Sequence, residues 1–138
     1  MATIFTVDPR SGVPLYLQLI EQVKRAVVLG TLSPGEQLPT VKALALELTI
    51  NPNTVARVYR ELERDGVIET SPGRGSFVRN DGTAQTEGRR MADDVAQQSL
   101  ADAIREARAL GLGRRDVEAL VHRLLDRWYP ATDVQENS

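Results

Sequence analysis

The chain has 138 residues, room for one ordinary domain or one small domain with an appendage. It is 41% hydrophobic and only 4% aromatic, so its core must come from Leu, Val, Ile and Ala, a composition that favours helices. The absence of cysteine excludes disulfides and thiolate zinc sites, the single histidine (His122) argues against a His-built metal centre, and a net charge of −2 leaves no chain-wide basic field.

The charge is unevenly spread. Residues 1–80 carry nine basic and eight acidic side chains, and residues 81–138 carry eight and eleven. The acidic excess therefore lies in the C-terminal part. Any surface for a polyanion must come from local placement of Lys and Arg. No apolar run approaches the roughly 20 residues that span a bilayer, and no secretory leader opens the chain. The expectation is a cytoplasmic protein without membrane contact.

The first dozen residues lack a strong period, and Asp8-Pro9 and Ser11-Gly12 are turn signals. Pro14 suits a first helical turn, and Tyr16, Ile20, Val23 and Val27 recur at helical spacing, with Leu19 and Ala26 beside them. Glu21, Lys24 and Arg25 fall on the opposite, solvent side, and Gly30 can cap the end. This predicts a first helix over about 14–29. Ser33-Pro34-Gly35 is a turn, and Leu38-Pro39 an extended lead-in. Thr40 can cap a second helix with Val41, Leu44, Ala45 and Leu48 inward. After the turn Thr49-Ile50-Asn51, Asn51 is a good cap and Pro52 fits the first position of a third helix. That helix runs to about Asp65 with Val55, Val58, Tyr59 and Leu62 inward, and Gly66 ends it. Val67–Thr70 and Ser76–Val78 read as strands around the loop Ser71-Pro72-Gly73-Arg74-Gly75, which has the length and glycines of a wing.

Residues 80–91 are polar and Gly-punctuated, and they read as a mobile linker. Val95, Ala96, Leu100, Ala103, Ala107 and Leu110 then mark a fourth helix. Gly111-Leu112-Gly113 breaks it. Val117, Leu120, Val121, Leu124, Leu125 and Trp128 mark a fifth, ended by Pro130. Such a pair reads as an antiparallel hairpin. It is too small to bury both apolar stripes alone, and a second copy would bury the same patch twice. The fold class is thus mainly α with a small β-wing: a winged helix-turn-helix over 1–79, a linker over 80–91, a two-helix dimerisation tail over 92–130 and a frayed end over 131–138.

This element order points to double-stranded DNA. In a helix-turn-helix the N-terminal residues of the second helix reach base edges, which here are Asn53, Thr54 and Arg57, with Arg60 and Arg64 further along. Arg57 has the fork to read guanine O6 and N7, and Asn53 the amide to read adenine. Asn51 opens that helix, whose N-terminus favours phosphate. Thr40 and Lys42 are placed for backbone phosphates. Arg74, between Gly73 and Gly75, is placed for a minor groove or a phosphate. Each also has a plain structural reading as a cap, a solvated helix face or a turn. His122 and Trp128 read as structural, and Arg114-Arg115 as a helix start that opposes the dipole. There is no Walker loop, no nucleophile triad and no cofactor motif, so an enzyme is not expected.

Three blocks, GEQLPTVKALALEL, NPNTVARVYRELERDGVIE and GRGSFV, stand in an order and spacing that closely resemble the DNA-binding domain of the GntR family of bacterial transcription regulators, over about 10–79. NPNTVxRxY and the short tail look like the YtrA subfamily. The resemblance implies DNA contacts at Thr40, Lys42, Thr54 and its neighbours, and the tip Gly73-Arg74-Gly75. The family commonly has Ser and Arg where this chain has Thr40 and Lys42, and a lysine cannot make a bidentate guanidinium contact. Much of the wider family has arginines at Pro52 and Ala56, which Arg57 would replace one position on. The resemblance implies a homodimeric repressor on a pseudo-palindromic operator, acting on its own gene and a transporter operon. Any small-molecule effector would bind at the dimer or domain interface. The competing expectation is a winged-helix protein-interaction module without DNA readout.

Overall fold

The computed structural model describes residues 5–131. Its elements are α1 (Leu15–Leu29), α2 (Val41–Leu48), α3 (Pro52–Arg64), β1 (Ile68–Ser71), β2 (Gly75–Val78), α4 (Thr83–Ala109) and α5 (Arg114–Trp128). They fall into two compact units, divided between Asp94 and Val95.

In the first unit the periodic apolar positions do what their spacing dictates. Leu19, Val23, Ala26 and Val27 of α1, Leu44 and Ala45 of α2, and Val55, Val58, Tyr59 and Leu62 of α3 are all buried. Val67, Ile68 and Val78 close the core from the hairpin. Burying a Leu or Val side chain is worth about 1.5–3 kcal/mol, so this single cluster supplies most of the unit's cohesion. α1 ends at Gly30, whose φ of 80° is a left-handed cap.

The opening segment is tied to this core. Phe5 is in the core and Val7 packs against it. The side-chain amide of Gln22 accepts from the Thr6 N–H (2.9 Å) and donates to the Thr6 carbonyl (2.5 Å). Gln18 does the same for Asp8, at 2.8 and 2.9 Å. Two glutamines one turn apart thus act as a surrogate strand edge for a segment with no period of its own.

Lys24, assigned to the solvent side, is instead buried, only 6% exposed. Its Nζ lies 2.9 Å from Asp65 Oδ2 at the end of α3 and 2.9 Å from Glu87 Oε1 on α4. Two carboxylates offset the desolvation that would otherwise exclude a lysine from this position.

That contact also corrects the expected linker. Residues 83–91 are helical and form the first turns of α4, not a mobile tether. Asp81 Oδ1 accepts the Thr83 N–H at 3.0 Å, which satisfies one of the donors at the helix start. Hydrogen bonds from Thr83 and Arg79 hold the Asp81 carboxyl well below the usual carboxylate range. Ala84 and Gly88 are buried. A Cβ on Gly88 would stand 2.6 Å from Val28 Cγ2 and 2.9 Å from the Lys24 carbonyl oxygen. Glycine in mid-helix costs about 1 kcal/mol relative to alanine, and here it is what lets α4 approach the backbone of α1.

In the second unit α4 runs on to Ala109, and Gly111, at φ 89°, turns the chain. Asp116 then caps α5 by accepting the Gly113 N–H at 2.9 Å, and its charge at the helix start offsets the two arginines there. No residue of α5 is buried, and Leu100, Ile104, Leu124, Leu125 and Trp128 lie exposed. Of the end expected to fray, 132–138 lie outside the described residues.

Candidate nucleic-acid interface

The helix-turn-helix is built by caps. Thr40 Oγ1 accepts the Ala43 N–H at 3.0 Å, so its hydroxyl caps α2 and retains its own proton for a further acceptor. α2 ends at Thr49, the single non-glycine residue with positive φ (57°) among the described residues. The Ile50 N–H then returns to the Ala45 carbonyl at 3.0 Å, which sets the sharp turn. Asn51 Oδ1 accepts the Asn53 N–H at 2.8 Å, and Pro52 follows at the first helical position. Asn51 is therefore engaged as the cap of α3, and only its amide group is left to donate outward.

α3 is fixed along its inner face. The buried Tyr59 hydroxyl donates to the Pro39 carbonyl at 2.5 Å, and burial pushes the phenol well above its ordinary value. The helix is thereby tied to the residue just before the Thr40 cap. Its outward side chains are those the sequence placed there: Asn53, Arg57 and Arg60 are exposed and Thr54 is half-buried. Arg64 pairs with Glu61, so it is spent within its own helix.

The Arg57 guanidinium stacks over the Tyr16 ring of α1, 3.6 Å from its centroid. Sequence reasoning placed Tyr16 among the inward apolar positions and missed this second use. An aromatic at the start of α1 gives no signal of which residue of α3 will cover it.

The wing is a two-stranded antiparallel sheet in the register Ile68↔Val78 to Ser71↔Gly75. Its loop is three residues, shorter than the expected five, because Ser71 and Gly75 pair as the last rung. The Arg74 N–H closes the turn on the Ser71 carbonyl at 2.9 Å. The lead-in to α2 runs alongside β2: the Leu38 N–H donates to Ser76 (2.8 Å), Val78 to Glu36 (2.9 Å) and Gly35 to Val78 (2.8 Å). Gln37, which the sequence did not single out, donates from Nε2 to the Arg74 carbonyl at 2.9 Å. Gly75 has φ 119°, and a Cβ there would meet Gln37 Nε2 at 2.6 Å. The glycine is needed both for its backbone angle and for room. The wing tip is thus pinned three residues upstream of Thr40, with the Arg74 side chain left exposed.

The charge arrangement suits an anion. Lys42, Arg57, Arg60 and Arg74 are exposed and enter no ion pair among the described residues. Lys24, Arg25, Arg64, Arg79, Arg89, Arg90, Arg105 and Arg114 are paired, whereas Arg108 of α4 and Arg115, Arg123 and Arg127 of α5 are, like the interface cations, in no ion pair among the described residues. No cluster of metal-ligating side chains occurs among the described residues.

The model for bacterial regulatory proteins of the gntR family matches residues 15–78, from α1 to the end of the wing. The repressor YtrA of Bacillus subtilis is 43% identical over 99 residues, covering 70% of this chain and 76% of that one. The chain belongs to the gntR family. An HTH-type transcriptional regulator of Mycobacterium tuberculosis is likewise 43% identical, over 80% of this chain and 84% of its own length. A transcriptional regulator from Oenococcus oeni superposes with a TM-score of 0.72 at 31% identity, covering 90% of this chain and 99% of that structure. This gntR protein is a DNA-binding transcription regulator. The similarity to YtrA extends past the winged helix, because the aligned 99 residues exceed the 78 from the chain start to the end of the wing.

Proposed function

We propose that the protein is a homodimeric repressor that reads a pseudo-palindromic operator in the cytoplasm. One α3 from each subunit would enter successive major grooves, about 34 Å apart. Arg57 and Asn53 would read bases, while Thr40, Lys42, Asn51, Thr54, Arg60 and the Gly73-Arg74-Gly75 tip would meet backbone or minor groove. The observation that carries the dimer is the second unit's exposed apolar face. Trp128 is 70% exposed, Leu100 62% and Leu124 50%. Residues of both helices, among them Ile104, Val117 and Val121, line an open groove of about 640 Å³. A second copy placed about a two-fold axis would bury this patch twice.

The targets we propose are the protein's own promoter and a transporter operon. An effector acting through this assembly must differ in affinity between two dimer geometries. The test is titration of the gene's own upstream DNA and a scrambled duplex across a salt series. Preference for the upstream DNA, with affinity falling as salt rises, supports base readout plus phosphate contacts. Equal binding to both refutes sequence-specific readout of that promoter.

A further inference from the structure

We propose that Tyr16 is a positioning residue for base readout, holding the Arg57 guanidinium by stacking so that its hydrogen-bonding edge is presented ready-formed to a guanine. The inference rests on Arg57 being a base reader, as proposed above, and adds a residue of α1 to the specificity apparatus.

The geometry supports it in three ways. First, the stack uses the face of the guanidinium, at 3.6 Å from the ring centroid. The N–H donors lie in the plane of that group, so stacking leaves the bidentate fork unspent. Second, the neighbouring carboxylate does not compete. Glu61 stands at i+4 from Arg57, the usual distance for a helical ion pair, but it pairs with Arg64. Arg57 is thus immobilised without being neutralised. Third, Tyr16 is itself set firmly: it packs against the buried core at the start of α1. The ring is therefore a fixed platform.

A long, freely rotating arginine loses rotamer entropy when it docks on a base, and a platform that orders it beforehand removes part of that loss.

The experiment selects bound sequences from a randomised duplex library with the full-length protein and its Arg57→Ala, Tyr16→Phe and Tyr16→Leu variants, each first checked for folding by circular dichroism. Base preference is then measured at every position by competition. Arg57→Ala should abolish the preference at one base pair per half-site. Tyr16→Leu should weaken the preference at that same base pair about two- to fivefold, the worth of an exposed cation–π contact, and leave the others unchanged. Tyr16→Phe, which keeps the ring, should restore it. Tyr16→Leu added to Arg57→Ala should change nothing further at that position.

If Arg57→Ala loses the preference and Tyr16→Leu keeps it, the positioning role is overturned and the readout stands. If Arg57→Ala keeps every preference, both fail together. A uniform loss across all positions with Tyr16→Leu also overturns the proposal, because it marks a structural effect.

Discussion

Lys24 offers the sharpest test of how the first unit is held together. Its ammonium bridges the end of α3 and the first turns of α4 through Asp65 and Glu87, each at 2.9 Å. Lys24→Met keeps the unbranched stem and removes the charge, leaving two carboxylates facing an apolar side chain. Removing one partner of a buried ion pair costs about 3–5 kcal/mol. Here the cost falls at the lower end for two reasons. The Asp65 side chain is 28% exposed and keeps water, and Glu87 keeps a second partner in Arg90. A loss of about 3 kcal/mol lowers the melting temperature by roughly 10 °C for a chain of this length. Differential scanning calorimetry reads it directly, and a second variant isolates the cause. Lys24→Met with Glu87→Gln and Asp65→Asn removes the orphaned charges and should recover most of the loss. A single Lys24→Met variant that melts within 2 °C of the parent would refute the reasoning, as would a triple variant no better than the single.

Three further outcomes follow from the same geometry. Gly88→Ala gains about 1 kcal/mol of helix propensity but sets a Cβ 2.9 Å from the Lys24 carbonyl oxygen, which cannot move aside as a side chain can. Overpacking costs about 1–3 kcal/mol, so urea denaturation should show a net loss of up to about 2 kcal/mol. Glu87 is held down from 4.5 to about 2, first by the hydrogen bond from Arg90 and then by that from Lys24, against the opposing effect of burial. A depressed carboxyl contributes stability that is complete above its unfolded value and lost as pH falls through its folded value. The unit should therefore weaken between about pH 4.5 and pH 2, and Glu87→Gln should flatten that limb in acid-unfolding curves. Leu124→Glu, on the exposed face of α5, should shift sedimentation from dimer to monomer at micromolar concentration while the first unit's thermal transition stays in place. A dimer that persists would refute the proposed interface.

The sequence was most legible where a helix buries one broad stripe of large side chains. Val55, Val58 and Leu62 on α3 are each almost completely buried, and their spacing alone located the helix and its inner face. Caps were equally plain, because Thr40 and Asn51 act locally, on N–H groups two or three residues away. The start of α4 was not legible, since it packs through Ala84, Gly88 and Glu87, none of which contributes to a hydrophobic period. A buried glycine and a polar linker glycine look identical until the partner backbone is known. The burial of Lys24 was hidden for the same reason: its two carboxylates lie 41 and 63 residues away in the chain. At the interface, the exposed arginines were legible as residue types, but their partners were not. Tyr16 under Arg57 and Gln37 under the wing tip are both contacts between separate elements.

The docked start of α4 changes where this protein can be cut. The natural place to sever the DNA-binding half, judged from the strand that closes the wing, is just after Arg79. A fragment ending there would carry an open seam along α1: Lys24 would keep Asp65 but lose Glu87, and Val28 would lose the glycine notch that covers it. Extending the fragment to Asp94, the last residue of the first compact unit, keeps Thr83, Ala84, Glu87 and Gly88 with the surfaces they seal. Grafts that attach this winged helix to a foreign assembly module face the same constraint. The exchangeable cassette includes three turns of helix that, by composition alone, look like disposable spacer.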